Sequence, residues 1–372
     1  MKKNITNFRS FDRVLTPLEL LNLYYTNGTS TGNRENKLWQ KTNYLLSWDN
    51  IIKRGYHADL APFLYYIITK SLFRTPEVSA KSNSTEKIVP RCAIPFLKIC
   101  YQKNLFRNMI LLNELKLVTE IFDENSIKVI PLKGGDLAEN VYEDIGCRPM
   151  GDLDILIKDK AMDESCELLI QNGYKSVNLL PSNSEIHHCF KKEIMGQQVI
   201  VELHNRLVKK KFRKNFNLNN IFELNCFSFY SEILYYCWHT VRHGVARIIW
   251  LCDIAESLRN HDNKLDWEHL LSIAADYNIK QEAIFVFYIL SSIFDSTAFK
   301  GCPIKPGVLK LMILQIVFQR RSNKWTEKSA KMQRHIIGAT LMKPSDLVRI
   351  IPQYFAELIS EKRPIHSYFK KN

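Results

Sequence analysis

Two aspartates, Asp152 and Asp154, stand at the start of an apolar segment, residues 153–157, whose composition is typical of a β-strand. Because side chains alternate across a strand, both carboxylates point to one side, about 6.6 Å apart along the chain. Carboxylates among apolar neighbours are costly unless a cation or hydrogen-bond donors replace the lost hydration. The pair therefore predicts a site for divalent cations, although two aspartates at this spacing also occur by chance and need support from their surroundings.

A pair of glycines upstream of the two aspartates gives that support. Gly134 and Gly135 follow a strand-like run, residues 128–132, and lead into a segment of helical spacing, residues 137–142. Glycines allow backbone N–H groups to approach an anion closely, and Lys133 adds a full positive charge. A glycine turn alone is more often only a tight turn. Placed one helix before the aspartate strand, it predicts a phosphate site beside the metal site.

Glu202 is a third candidate for the metal site. It lies in a predicted strand, residues 197–204, between the apolar residues Val201 and Leu203, so an unpaired carboxylate there would be costly. Participation in the metal site removes that cost. A glutamate that faces water from an edge strand is the alternative.

Two histidines, His239 and His243, lie four residues apart and thus on one face of a predicted helix. This spacing suits zinc, with Asp253 as a third ligand, although no glutamate follows His239 as it does in metalloproteases. Histidines on an apolar helix more often are satisfied core residues or line a substrate pocket, and we favour this interpretation. The candidate pocket comprises His204, His239, His243 and Asp253.

The elements around these residues divide the chain into three regions. Residues 1–122 and 217–372 have helical spacing, whereas residues 123–216 alternate strands with short helices. We therefore predict an α+β fold in which a small mixed β-sheet is flanked by N-terminal and C-terminal α-helical regions. Strands are expected at 128–132, 153–157, 175–180, around 187–189 and at 197–204, and helices at 105–122, 161–172, 229–243, 247–259, 266–277 and 281–294, with two more between 307 and 359.

The composition is that of a globular protein with an excess of basic residues. A hydrophobic fraction of 46% and a charged fraction of 24% favour a globular over a disordered chain, and 372 residues favour more than one packed unit. The net charge of +14 suits a polyanionic partner: nucleic acid, a nucleotide or an acidic membrane surface. The basic runs at 209–214 and 320–334 are interpreted as solvated surface rather than as a nucleic-acid groove.

Cysteine usage and apolar segments indicate the compartment. Nine cysteines without a Cys-x-x-Cys pair suit reduced thiols better than a disulfide framework or a zinc site. Residues 1–15 lack the continuous apolar run of a signal peptide. The longest apolar segments, residues 283–294 and 311–318, fall short of the roughly 20 residues that span a bilayer. We therefore expect a cytoplasmic protein without a membrane partner.

The motifs together resemble a known family. Their order along the chain is Leu132-Lys133-Gly134-Gly135, Tyr142, Arg148-Pro149-Met150-Gly151-Asp152-Leu153-Asp154-Ile155-Leu156, Gly173-Tyr174 and Val201-Glu202-Leu203-His204. This series is similar to the bacterial family of uncharacterised nucleotidyltransferases, which belongs to the DNA polymerase β-like nucleotidyltransferase superfamily. Residues 238–244 and 247–255 also resemble a helical segment of that family, whereas the first hundred residues carry no matching motif. Two departures from the wider superfamily are Lys133 before the glycines and Gly135 in place of a frequent serine.

The resemblance implies phosphoryl chemistry with two metal ions. Asp152 and Asp154 would bind Mg²⁺ or Mn²⁺, and Glu202 would complete the second metal site and accept the proton of the acceptor hydroxyl. The nucleotide would be a nucleoside triphosphate, with ATP as the expected one. Its nucleoside monophosphate would pass to an unidentified acceptor, either a small molecule, a peptide or protein, or a nucleic acid, with release of pyrophosphate.

The same resemblance assigns the residues that hold the nucleotide. Lys133, Gly134 and Gly135 would bind the β and γ phosphates, and Arg148 would neutralise the charge that develops in the transition state.

Two other functions fit these residues. The basic charge also suits a nucleic-acid or partner-binding module on a transferase fold that no longer catalyses, although the intact acidic trio argues against it. A kinase-like enzyme would keep the metal site but transfer the γ-phosphoryl group, so that its product is a nucleoside diphosphate. The fold alone selects neither the acceptor nor the base of the nucleotide.

Overall fold

A computed structural model describes residues 59–73, 93–177, 187–207, 228–243, 245, 247–261 and 265–293 of the chain. Two helices come first, α1 (Ala61–Phe73) and α2 (Ala93–Glu124). Helix α2 begins twelve residues before the predicted helix at 105–122. Its first half leaves Phe96 and Ile99 exposed, so the apolar residues there do not form the continuous buried stripe from which a helix is recognised.

A mixed sheet of five strands follows, which confirms the predicted α+β fold. Its spatial order is β1-β2-β5-β4-β3, in which β2 and β5 are parallel and the other neighbours are antiparallel. Along the chain the elements are β1 (Val129–Leu132), a single helical turn α3 (Gly134–Asp136), a π-helical turn (Leu137–Val141), β2 (Leu153–Ile157), a 3-10 turn (Asp159–Ala161), α4 (Met162–Gln171), β3 (Lys175–Ser176), β4 (His187–Ile194) and β5 (Gln197–His204).

Most of the predicted elements of this region are confirmed. Strands β2 and β5 have the predicted bounds, and the chain leaves α4 through Gly173, whose φ of 85° is the left-handed conformation that favours glycine after a helix. The expected strand at 175–180 pairs with β4 at Lys175 and Ser176, and the backbone N–H of Val177 donates to the carbonyl oxygen of Cys189; the strand is described only as far as residue 177. Strand β4 is longer than expected because it pairs with β5 along its whole length.

Four helices form the described part of the C-terminal region: α5 (Phe229–Arg242), α6 (Ile249–Asn260), α7 (Trp267–Asp276) and α8 (Lys280–Ile293). All four were predicted to within two residues at each end. The side chain of Asp266 accepts a hydrogen bond from the backbone N–H of His269, which confirms it as the N-cap of α7. The helices predicted between 307 and 359 and the basic runs at 209–214 and 320–334 lie outside the described residues.

The two faces of the sheet belong to two apolar cores. Alternate residues of β2, Leu153 and Ile155, pack with α2 and α4, whereas Leu156 belongs to a core that contains residues of α1, β1 and α5 to α8. Asp154 lies on the same face as Leu156 because side chains alternate along the strand. The acidic face of the sheet is therefore the face turned to the C-terminal helices.

The core that contains Leu156 includes residues from all three regions predicted from the sequence. The predicted region boundaries at 122 and 216 stay a prediction. Among the described residues, no helix combines the length and the apolar composition that crossing a bilayer demands.

Candidate metal and nucleotide site

Two carboxylates and one imidazole meet on the acidic face of the sheet. The parallel pairing of β2 with β5 puts Asp154 directly beside Glu202. His204 lies two residues further along β5, so it shares the face of Glu202, and its Nε2 is 2.7 Å from Oδ1 of Asp154 and 3.6 Å from Oε2 of Glu202. One ligand atom from each of the three side chains lies within 4.8 Å of the others. This arrangement offers a divalent cation two oxygens and one nitrogen.

Lys133 contacts the second oxygen of Asp154. Its Nζ lies 3.0 Å from Oδ2, at the junction between β1 and the turn α3. The backbone of Lys133 has φ 50° and ψ −108°, a conformation that side-chain-bearing residues rarely adopt and that is often found at functional sites. Burial alone would lower the pKa of Lys133, but Tyr235 and Asp154 outweigh burial and raise it. The side chain is therefore a cation held inside the acidic cluster.

The pKa values of the carboxylates in the cluster are shifted in opposite directions. Burial tends to raise the pKa of Asp154, but Lys133 and His204 outweigh it and hold the pKa below its usual range. Burial and the charge of Asp154 raise the pKa of both Asp152 and Glu202. Lys133 thus compensates for one carboxylate only. The remaining negative charge is what divalent cations would neutralise, so the donor set fits the metal that the sequence predicts.

Asp152 is not part of the tight group of three ligands. It immediately precedes β2 and is partly buried, and it interacts with Asp154 and Lys133 through their charges. The structure therefore brings together all three predicted carboxylates, with Asp154 and Glu202 in direct register and Asp152 beside them. His204, which the sequence assigned to a substrate pocket, lies inside the acidic cluster.

The glycine pair is buried where the backbone turns from β1 into α3. A Cβ atom on Gly134 would lie 3.0 Å from Nη1 of Arg148, and one on Gly135 would lie 2.6 Å from Cδ2 of Leu115 in α2. These approaches explain why both positions lack a side chain. The turn is pressed between α2 and the guanidinium of Arg148.

We expect Gly135→Ala to lower the free energy of unfolding by about 1–3 kcal/mol, because the added methyl group overpacks the contact with Leu115. Chemical denaturation measures the change. Gly151→Ala is the matched control, since no atom lies within 4 Å of its added Cβ. Equal stability of the two variants would contradict the close packing of the turn.

Arg148 is held by a buried carboxylate of the C-terminal region. Its Nε and Nη2 donate to the two oxygens of Asp253 in α6 at 2.9 and 2.8 Å, and the hydroxyl of Tyr142 donates to Oδ1 at 2.8 Å. Asn108 in α2 donates to the carbonyl oxygen of Arg148 at 2.7 Å. The guanidinium is thereby fixed in a two-pronged geometry with Nη1 beside Gly134.

The two histidines of α5 lie together, as their spacing predicts. The ring centroids of His239 and His243 are 4.5 Å apart, and the ring of Trp250 in α6 lies 4.8 Å from that of His239. Burial, Lys133 and His243 hold the pKa of His239 well below its usual range, so its ring is neutral at neutral pH. These rings form an aromatic wall, defined as His239, His243 and Trp250.

The zinc alternative for His239, His243 and Asp253 is wrong for the described part of the chain. There, the side chains with three ligand atoms close enough for one ion are Asp154, Glu202 and His204. Both oxygens of Asp253 are instead occupied by Arg148. The guanidinium of Arg148 donates hydrogen bonds to the two carboxylate oxygens that would otherwise coordinate the zinc ion.

The sequence did not identify Tyr235 as a residue of the site. It is buried in α5, hydrogen-bonded to Lys133, and burial is the main reason why its pKa rises to about 12. Its spacing of four residues from His239, on the same face of α5, was the available signal.

A comparison with models of known protein families finds one match that covers all of these residues. Residues 45–295, about two thirds of the 372-residue chain, match a family described as uncharacterised nucleotidyltransferases. The match extends from before α1 to the end of α8 and includes every residue of the site. Searches of curated proteins and of solved structures gave no match. The glycine turn, the acidic strand pair and this match lead to one conclusion: the chain belongs to the family of uncharacterised nucleotidyltransferases.

Proposed function

We propose that the protein is a metal-dependent nucleotidyltransferase of the polymerase β type, which transfers a nucleoside monophosphate from a nucleoside triphosphate, expected to be ATP, to an acceptor and releases pyrophosphate. The observation that carries the proposal is the register of β2 and β5, which puts Asp154 beside Glu202 on the face that also receives Lys133. Membership of the family supports the reaction class.

Asp152, Asp154 and Glu202 would hold the divalent cations, with Mg²⁺ or Mn²⁺ as the candidates. Burial and the charge of Asp154 raise the pKa of Asp152 and of Glu202, and a bound cation would offset both effects, which supports that role. Bound cations would neutralise the triphosphate and lower the pKa of the acceptor hydroxyl. Glu202 would accept the proton of that hydroxyl.

The triphosphate would lie at the glycine turn. Lys133 would contribute its ammonium, which contacts Asp154, to the binding of the β and γ phosphates. Gly134 and Gly135 would offer their backbone N–H groups to the phosphate oxygens. Arg148 would donate to a phosphate through Nη1, which lies beside Gly134, while Asp253 balances its charge and holds it there.

The acceptor would bind between the sheet and the C-terminal helices. The acidic face of the sheet is turned to α5, whose Tyr235 contacts Lys133 and whose histidines belong to the aromatic wall. The neutral ring of His239 is compatible with an uncharged hydrogen-bond contact to an acceptor. His239 and His243 thus remain candidate pocket residues. Experiment must identify the acceptor as a small molecule, a protein or a nucleic acid.

The product identifies the reaction. We expect ATP labelled at the α-phosphate, incubated with the protein, Mg²⁺ or Mn²⁺ and a fractionated cell extract as the source of acceptors, to label an acceptor while pyrophosphate accumulates. Nucleoside diphosphate with label left on the nucleotide would identify a kinase-like enzyme instead. No turnover, together with binding to RNA or DNA that falls steeply with salt, would favour the non-catalytic module.

A further inference from the structure

His204 is the one nitrogen donor of the tight three-ligand group. The three donors come from neighbouring parallel strands: Asp154 is level with Glu202, and His204 follows Glu202 by one full strand repeat. The imidazole Nε2 reaches back to the carboxylate of Asp154 at 2.7 Å, so the ring is aimed into the acidic cluster and not out to solvent. Only 13% of its side chain is exposed.

The spacing of the three donor atoms suits direct coordination. Ligand atoms that bind one small dication at about 2.0–2.2 Å lie about 3 Å from one another. Nε2 of His204 already lies 2.7 and 3.6 Å from one oxygen of Asp154 and one of Glu202. The 2.7 Å contact is a hydrogen bond between His204 and Asp154, which a shared cation would replace. Small side-chain rotations would then give all three ligand atoms a common centre, with no change of strand register.

The type of donor determines which cation the site prefers. Mg²⁺ strongly favours oxygen ligands and retains its water molecules. Mn²⁺ also suits carboxylate oxygen, but as a first-row transition metal it accepts imidazole nitrogen more readily than Mg²⁺ does. A carboxylate at position 204 would suit Mg²⁺ and Mn²⁺ alike, whereas a histidine at this position favours Mn²⁺.

We propose that His204 is a direct ligand, through Nε2, of the divalent cation held by Asp154 and Glu202, and that this nitrogen makes the site select Mn²⁺ over Mg²⁺. The inference rests on the proposed function only in taking this cluster as the metal site of the transferase. It differs from a purely positional role in which His204 would orient the carboxylate of Asp154 and leave the metal to oxygen ligands alone.

The test uses the full chain with MnCl₂ or MgCl₂ and no nucleotide. Pulsed electron paramagnetic resonance of the Mn²⁺ complex is expected to show coupling to the imidazole ¹⁴N nucleus in the native protein and none in His204→Gln. Titration is expected to show Mn²⁺ binding weakened about 10- to 100-fold in this variant, with a much smaller change for Mg²⁺.

Two further variants keep the test decisive. His188→Gln is the matched control, because His188 is an exposed histidine on β4 that pairs with Leu203 and so points away from the acidic face. It should retain both the nitrogen signal and the Mn²⁺ affinity. His204→Asp supplies oxygen instead of nitrogen, so it should bind both cations while losing the nitrogen signal and the preference for Mn²⁺.

Three outcomes overturn the inference: no Mn²⁺ binding at millimolar concentration, bound Mn²⁺ without nitrogen coupling, or equal weakening of Mn²⁺ and Mg²⁺ binding in His204→Gln. The proposed function fails separately. Nucleotidyl transfer with a bound cation that lacks a nitrogen ligand removes the inference and leaves the function standing. Mn²⁺ bound through nitrogen, without release of pyrophosphate, would support the inference and contradict the proposed function.

Discussion

Replacing Asp154 with asparagine is expected to reduce nucleotidyl transfer by a factor on the order of 10³ or more. Asp154 is the residue at which Lys133, His204 and the neighbouring Glu202 converge. An amide is a weak metal ligand and carries no charge, so both the cation and the arrangement of Lys133 would be lost. The rate of pyrophosphate release at saturating ATP and Mn²⁺ measures the effect.

The variant also has a signature in stability. Because the folded state holds the pKa of Asp154 below its usual range, the carboxylate stabilises the protein above the unfolded pKa, and this contribution is lost as pH falls through the folded value. The difference in unfolding free energy between the native protein and Asp154→Asn should therefore be largest near neutral pH and shrink in acid. Asp163→Asn, at an exposed site in the first turn of α4, should change neither rate nor pH profile. Undiminished pyrophosphate release in Asp154→Asn would end the enzymatic proposal.

The second large effect is expected at the ion pair that joins the nucleotide turn to the C-terminal helices. Asp253→Asn should lower the free energy of unfolding by about 3–5 kcal/mol, because it leaves the guanidinium of Arg148 buried without a counter-charge. Arg148 and Asp253 are 5% and 3% exposed, so water cannot take over the lost interaction. Urea denaturation followed by circular dichroism measures the loss.

A surface pair of the same length gives the matched control. Nη2 of Arg247 lies 2.8 Å from Oδ2 of Asp59, the same distance as between Arg148 and Asp253, but the two side chains are 38% and 49% exposed. Asp59→Asn should therefore cost only about 0–1 kcal/mol. If the two aspartate variants lost equal stability, burial would not be what makes the inner pair important.

The local features of the site could be predicted from the sequence, because they depend on periodicities carried by neighbouring residues. Alternation in residues 153–157 and 197–204 gave both the bounds of the strands and the side to which Asp154 and Glu202 point. The glycine pair was predicted to let the backbone approach a phosphate, which stays a prediction; the atoms that the structure places against the pair are side-chain atoms of Arg148 and Leu115.

The pairings between distant segments could not be predicted in this way. Nothing in the local pattern states that β5 lies between β2 and β4, or that Arg148 meets a carboxylate 105 residues later, since such contacts are chosen by tertiary packing. The same holds for His204, whose strand position was correct but whose contact with Asp154 depends on the parallel register. The left-handed backbone of Lys133 was equally hidden, because lysine itself does not favour it.

The apolar core shared by α1, β1 and α5 to α8 makes the acidic strands inseparable from the helices around them. Leu132 at the end of β1 and Leu156 in β2 are both part of that core. A polypeptide shortened to residues 123–216 would expose this apolar face to water. It would also leave Arg148 without the carboxylate of Asp253. We therefore expect the three regions to fold and unfold as one cooperative unit, although their amino-acid patterns differ.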